Sequence, residues 1–242
     1  MMNTALLLET VYALMTPLDL SALGFFLVSM LGYGYAANHV PALRRPSLTG
    51  AIQRQRLAWM LNMSRRENRT IDVILLGTLG QGNAFFASTT AIAIGGIAAL
   101  LGSGERAQQI LERLPMVAHA NSVLWEIKLL LIMSIFIFAF FKFAWAFRLS
   151  HYAAIMVGAT PILAGDNATS CDEHAERTAG LASLSAEHAN GGMRAFYYAF
   201  AALAWFFHPI ALLAATLWVF LILVRRDYFS RSRRLIAGST RG

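Results

Sequence analysis

Hydrophobic positions in this chain are gathered into long runs separated by more polar stretches. Four runs, at about 18–36, 71–101, 123–148 and 195–224, reach the length of a membrane-crossing helix, since roughly 20 apolar residues rising about 1.5 Å each cross the hydrocarbon core. The pattern predicts an all-α polytopic membrane protein, a four-span helical bundle forming one integral domain over residues 1–242. Residues 1–17, apolar apart from Glu9 and stopped at Pro17, are too short to cross and are expected at the interface. A basic loop at 37–70 follows the first span and a basic tail at 225–242 follows the last. Within that loop, GAIQRQRLAWMLNMSRR mixes Ile52, Leu57, Trp59, Met60 and Met63 with arginines, the pattern of an interfacial amphipathic helix.

Each long run carries polar interruptions that raise a specific question. The second spans about 46 Å as an upright helix, so it has to tilt, protrude or break, and GTLGQGN at 77–83 is the place for a break. Gln81, Asn83 and the Ser88, Thr89, Thr90 run are polar at membrane depth, while Ala87, Ala91, Gly95 and Ala99 recur every fourth residue as a ridge for close helix packing. At the head of this run, Arg69 and Asp72 are spaced to pair.

The third run holds Glu126, Lys128 and Lys142. A charge at mid-membrane costs about 2.5 to 3.5 kcal/mol unless it snorkels, pairs or meets water. Lys142 is near enough to the end of its span to snorkel. Lys128 and Lys142 lie on one helical stripe with Ile135, and that stripe is expected to face protein. Glu126 has a short stem and does not share a face with Lys128. It is therefore expected to be shielded from lipid and bonded to another span, with Gln81, Asn83 and the hydroxyl run as first donors and Arg106 or Arg113 as the alternative. In the fourth run, Pro209 predicts a kink, with His208 either bonding a freed carbonyl or binding a proton.

The connections are read from their charge. Glu105, Arg106, Glu112 and Arg113 cancel between the second and third spans, where ERAQQILERLP reads as a short helix stopped by Pro115. After the third span, HYAAIMVGATPIL reads as an extension into the interface and GDNATSCDEHAERT as a loop leading to a helix that reaches Arg194. Loop 37–70 carries Arg44, Arg45, Arg54, Arg56, Arg65, Arg66 and Arg69 against one acid, Glu67, which the positive-inside rule places in the cytoplasm. Four crossings then put the basic tail outside. A fifth would split the fourth run at Pro209 into halves of about 14 residues, short of the usual 17, so four spans are expected.

Composition agrees with this picture. Apolar residues make up 57% of the 242 and charged residues 14%, and mean hydropathy is +0.53. The net charge of +7 comes from arginines beside apolar runs, which points to anionic headgroups, with Arg54, Arg56, Arg65, Arg66 and Arg69 as the candidates, and not to nucleic acid. No Lys or Arg precedes Arg44, so the first span is expected to enter the membrane uncleaved. The expected setting is multi-pass in the cell membrane, a bacterial inner membrane. Cys171 is the single cysteine, and Cys171 to His174 lacks a second ligand pair, so neither a disulfide, a metal nor a cofactor is expected. Asn167-Ala168-Thr169 matches a glycosylation acceptor, and P-loop, GxSxG, HExxH and dinucleotide motifs are absent.

Four segments, NRTIDVILLGTLGQGNAFFASTTAIAIGG, LWEIKLLLIMSIFIFAFFKFAWAFRLSHYAAI, HANGGMRAFYYAFAALAWFFHP and VRRDYFSR, resemble the membrane family catalogued as domain of unknown function 599, found in proteobacteria and plants. The resemblance runs from about Leu18 to Ser230. It implies a four-span membrane protein and assigns no activity or site residue.

Three functional readings follow from the residues alone. The first is a small permease or channel-like subunit whose polar path uses Glu126, Lys128, Lys142, Gln81, Asn83 and His208. The second is a scaffold or accessory subunit, homo-oligomeric or bound to another membrane protein through the Ala87 to Ala99 ridge. The third is an interfacial enzyme acting on lipid or quinone through His151, His174, Glu187, His188 and Arg194.

Overall fold

The structure is a computed structural model that describes residues 15–103, 122–164 and 167–238. Thr16 starts the first helix, α1 (Pro17–His39), with a reciprocal cap in which its hydroxyl accepts from the Asp19 amide while Asp19 accepts from the Thr16 amide. A single turn, α2 (Pro41–Arg44), leads to α3 (Leu48–Ser64), capped by Ser47. Then come α4 (Thr70–Gly102), α5 (Ser122–Gly158) and α6 (Ala168–Leu203). A 3-10 turn at Ala204–Phe206 joins α6 to α7 (Pro209–Tyr228), and α8 (Arg231–Ala237) closes the described chain. Four helical stretches are long and apolar enough to cross a membrane: α1, α4, α5 and Pro209–Ala237.

Three expectations about these elements are corrected. GTLGQGN does not break the second span, because α4 is continuous from Thr70 to Gly102. Its glycines cost helix propensity but leave every backbone bond intact. The polar stretch after the third span is helical from Ala168 onward, whereas α5 extends to Gly158 as the apolar piece HYAAIMVG predicts. The apolar run 195–224 is two helices that double back at Trp205 to His208. Pro209 is the first residue of α7, where a missing N–H costs nothing. His208 caps that helix: its Nδ1 accepts from the Ile210 amide at 3.2 Å, which fills an orphan helix donor and not a freed carbonyl.

This hairpin removes the topological conflict. Tyr33, near the end of α1, donates to Asp227, near the end of α7, at 2.7 Å, while Asp19, at the start of α1, meets Trp205 just before α7. The two helices therefore run parallel. Arg233 donates to the Pro46 carbonyl and Gln55 to the Ile236 carbonyl, so the basic tail lies on the basic loop, at one end of the bundle. The half of the apolar run before Pro209 is not an isolated segment of about 14 residues but the apolar end of a 36-residue helix. Ala195, Tyr198, Ala199, Ala201 and Ala202 of that end are buried, and a helix packed by protein has no need to be apolar on every side.

Helix α5 lies between α4 and α6 and packs extensively on both. Gly192 makes this approach possible, since a Cβ there would sit 2.8 Å from the Phe143 ring. A first core gathers Phe26, Ile132, Phe143, Tyr198, Trp205 and Leu212. A second, at the basic end, joins Met60 and Met63 of α3 to Leu76, Ala153, Val157, Ala175 and Ala179. The interfacial helix is thus docked: its methionines are buried in protein, where the sequence pattern had placed them on lipid. Its start is tight as well, because a Cβ on Gly50 would run into the Arg44 carbonyl oxygen.

Candidate functional site at the basic end

Arginines crowd the basic end, and their partners separate structural ones from free ones. Arg69 donates to the Thr160, Pro161 and Ser64 carbonyls, closing the end of α5. The expected Arg69–Asp72 pair does not form; Arg66 takes that carboxylate at 3.0 Å and Trp59 Nε1 joins it at 2.7 Å. Arg65 bonds Asp172 across 3.3 Å, Arg54 donates to the Arg45 carbonyl, and Arg44 pairs with Glu187. Of the five arginines read as headgroup candidates, Arg56 alone makes no hydrogen bond or ion pair among the described residues.

Arg56 is half-buried and lines a cavity of about 230 Å³ between α3, α4, α5 and α6. Asn83 and Asn190 line the same cavity, also without a hydrogen-bond partner among the described residues. Trp59, held by Asp72, is part of the wall, together with Ile52, Leu76 and Leu79. Leu79 is 58% exposed on the outer face of α4. Two further polar lining groups are satisfied, since Ser150 and Ser185 bond each other at 2.9 Å and share the Ala146 carbonyl. Burial pulls the Arg56 guanidinium below its usual value, and the Glu187 carboxylate partly offsets that. A guanidinium carries five donors and no acceptor. Together with two free amides it can hold an anion, and the apolar wall can take the chain attached to it.

The intramembrane candidates are placed apart. Lys128 is buried and donates to the Trp205 carbonyl at 3.0 Å, with its ammonium 5.2 Å from the Trp205 ring centre. Trp205 Nε1 in turn donates to Asp19 at 2.8 Å, and Thr16 donates to the other Asp19 oxygen at 2.6 Å. This cluster was not foreseen; the Thr16-Pro17-Leu18-Asp19 start, a capping box entering an apolar run, was its only signal. Lys128 and Ile135 face protein, each 4% exposed. Lys142 is half-buried, lies over Gly191 and sits 5.4 Å from the Phe138 ring centre.

For Glu126 the expected shielding from lipid is not found. It is exposed and makes no bond to Gln81, Asn83 or any other described residue, because its position in the first turns of α5 turns it outward while Trp125, Lys128 and Leu129 face in. Arg106 and Arg113, the alternative partners, and the helix ERAQQILERLP lie outside the described residues, as does the lead-in through residue 14. Gln81 and His208 are exposed, and Thr89 and Thr90 bond carbonyls of their own helix. Ala87 is half-buried, but Ala91, Gly95 and Ala99 are exposed, so the ridge faces outward.

The enzyme candidates are not gathered either. His151 is exposed on α5, His174 bonds the Met156 carbonyl, Glu187 is taken by Arg44, and Arg194 donates to Asn38. His188 contacts Trp145 and leaves a buried Nδ1 unpartnered. Cys171 is buried, and the Asn167 amide of the glycosylation pattern donates to the Ile162 carbonyl.

Helices long enough to cross, apolar outward faces and a docked basic helix define a multi-pass, all-α membrane protein. The chain belongs to the family described as "Protein of unknown function, DUF599", which matches residues 21–232. Comparison with curated proteins and with solved structures finds no match.

Proposed function

We propose that this protein binds an amphiphile with an anionic head, a carboxylate or phosphodiester, in the cavity between α3, α4, α5 and α6. The observation that carries this reading is the convergence of Arg56, Asn83 and Asn190, all without protein partners among the described residues, on a space walled by Trp59, Leu76 and Leu79. At about 230 Å³ it suits a headgroup and not a whole lipid, since sites that engulf drug-sized ligands run to about 300–1,000 Å³. Exposed Leu79 marks where the chain leaves toward the bilayer. By the positive-inside rule, the shared end of loop and tail faces the cytoplasm, which puts the site at the inner leaflet of a cell membrane, where acidic lipids attract arginine.

A permease or channel-like subunit needs its polar groups along one path. Here Lys128 belongs to one end, Asn83 and Lys142 to separate spaces nearer the other, and Gln81, Glu126 and His208 to the outer surface. The accessory-subunit reading draws support from exposed Ala91, Gly95 and Ala99 on α4, and a stoichiometric partner or second copy crosslinked at Gly95 would favour it.

The test is lipid binding by the full chain in neutral-lipid nanodiscs, read by native mass spectrometry as acidic lipid is added. A charge-assisted hydrogen bond contributes about 1.5–3 kcal/mol, so Arg56→Gln is expected to weaken binding about tenfold or more. Equal binding by wild type and Arg56→Gln would overturn the proposal.

A further inference from the structure

A second cleft lies on the other side of α6, between α1 and α5, with a volume of about 250 Å³. Helix α1 packs chiefly on α7 and α6, so α6 forms the floor of the gap beside α5. Lys142 and Arg194 both line it, and none of its lining residues is an acid. The acids nearby are already engaged: Asp227 accepts from Tyr33 and Arg226, and Glu187 pairs with Arg44. Arg194 is only 6% exposed, and Nη2 to Asn38 Oδ1, at 2.9 Å, is its one hydrogen bond among the described residues. Lys142 makes none, its ammonium resting near the Phe138 ring. Two cations thus share one cleft whose lining supplies no carboxylate, and bringing two like charges together there costs free energy that an anion bound between them would offset.

The rim of the cleft is apolar and open. Leu31 and Tyr35 are 64% and 66% exposed, and Phe138 is 46% exposed. We infer that this cleft binds a lipid phosphomonoester, its terminal phosphate between Lys142 and Arg194 and its chain over Leu31 and Phe138. A phosphate monoester carries a charge of about −1.5 to −2 near neutrality, which two cations match, whereas a phosphodiester carries one charge and a fatty acid one. Asn38 adds a side-chain amide at the same wall. The Arg56 cavity, with one cation, takes a singly charged head by the same reasoning, so the two spaces sort lipids by headgroup charge.

The experiment uses the full chain in neutral-lipid nanodiscs and titrates phosphatidic acid, phosphatidylglycerol and inorganic phosphate in separate arms, counting bound lipid by native mass spectrometry. Lys142→Gln is expected to weaken phosphatidic acid binding tenfold or more, Lys142→Arg to restore it, and Arg56→Gln to leave this component unchanged. Arg194→Lys keeps the buried charge and is expected to reduce affinity by a smaller factor. Inorganic phosphate failing to compete supports a membrane source, and full competition by it at matched concentration overturns that source. Phosphatidic acid and phosphatidylglycerol binding alike, or Lys142→Gln binding as wild type, overturns the inference. Loss of binding in Arg56→Gln alone, with the Lys142 dependence intact, would bear only on the first cavity.

Discussion

The two ends of the bundle hold similar kinds of polar residue and use them in opposite ways. At the end where the chain doubles back, Asp19, Lys128, Trp205 and Thr16 bond one another. At the basic end, most arginines are consumed by carbonyls and carboxylates, but Arg56, Asn83, Asn190 and Lys142 face cavities with no partner among the described residues. Buried polar groups that satisfy one another specify the fold, whereas groups left open in a cavity are available to a ligand. The difference teaches that burial of a charge in this protein does not by itself mark function. Lys128, 4% exposed, is spent on the Trp205 carbonyl at the turn of the α6–α7 hairpin.

The largest effect should come from the closed end. Asp19→Ala removes the acceptor for Trp205 and Thr16 and leaves Lys128 without its neighbouring charge, so it is expected to cost about 3–5 kcal/mol, the range for breaking a buried charged partnership. Thermal or denaturant unfolding in detergent measures it, and a loss below about 1 kcal/mol, the size of an ordinary net hydrogen bond, would mean the cluster is not what fixes that end. Tyr33→Phe deletes the hydroxyl that donates to buried Asp227, and a hydrogen bond to a charged group predicts a loss of about 1.5–3 kcal/mol. An unchanged midpoint would show that Arg226 suffices to hold Asp227. Gly192→Ala forces a methyl toward the Phe143 ring, and overpacking of this kind costs about 1–3 kcal/mol. Phe143→Leu in the same chain should recover part of it. The smallest stability effect belongs to the open end, where Arg56→Gln is expected to stay within about 0.5 kcal/mol of wild type, as substitutions away from structural partnerships do. A large destabilisation there would erase the distinction between the ends.

What the sequence disclosed follows the same division. Long apolar runs and the arginine-rich loop made the helices and the basic end readable, because these are local signals. The α6–α7 hairpin was missed since hydropathy counts the apolar residues that lipid demands, and α6 is sheltered by protein on the face of Ala195, Tyr198, Ala199 and Ala202. Glu126 was misplaced because its helical register, which turns Lys128 inward, turns Glu126 out. Arg56 stood among the headgroup candidates but could not be singled out, since only three-dimensional partners such as Asp72, Asp172 and the Thr160 carbonyl remove Arg66, Arg65 and Arg69 from that set. Asn190 gave no signal in a polar stretch, and Asn83 stood out as a polar residue at membrane depth but with nothing to join it to Arg56.

A photoactivatable acidic lipid, incorporated with the full chain in nanodiscs and crosslinked before peptide mapping, tests the contrast between the ends most directly. Adducts are expected on Ile52 to Trp59, on Leu79 to Asn83 and around Asn190, lost on Arg56→Gln, with the Thr16 to Ala22 and Trp205 segments unlabelled. Adducts spread equally over both ends, or unchanged by Arg56→Gln, would contradict it.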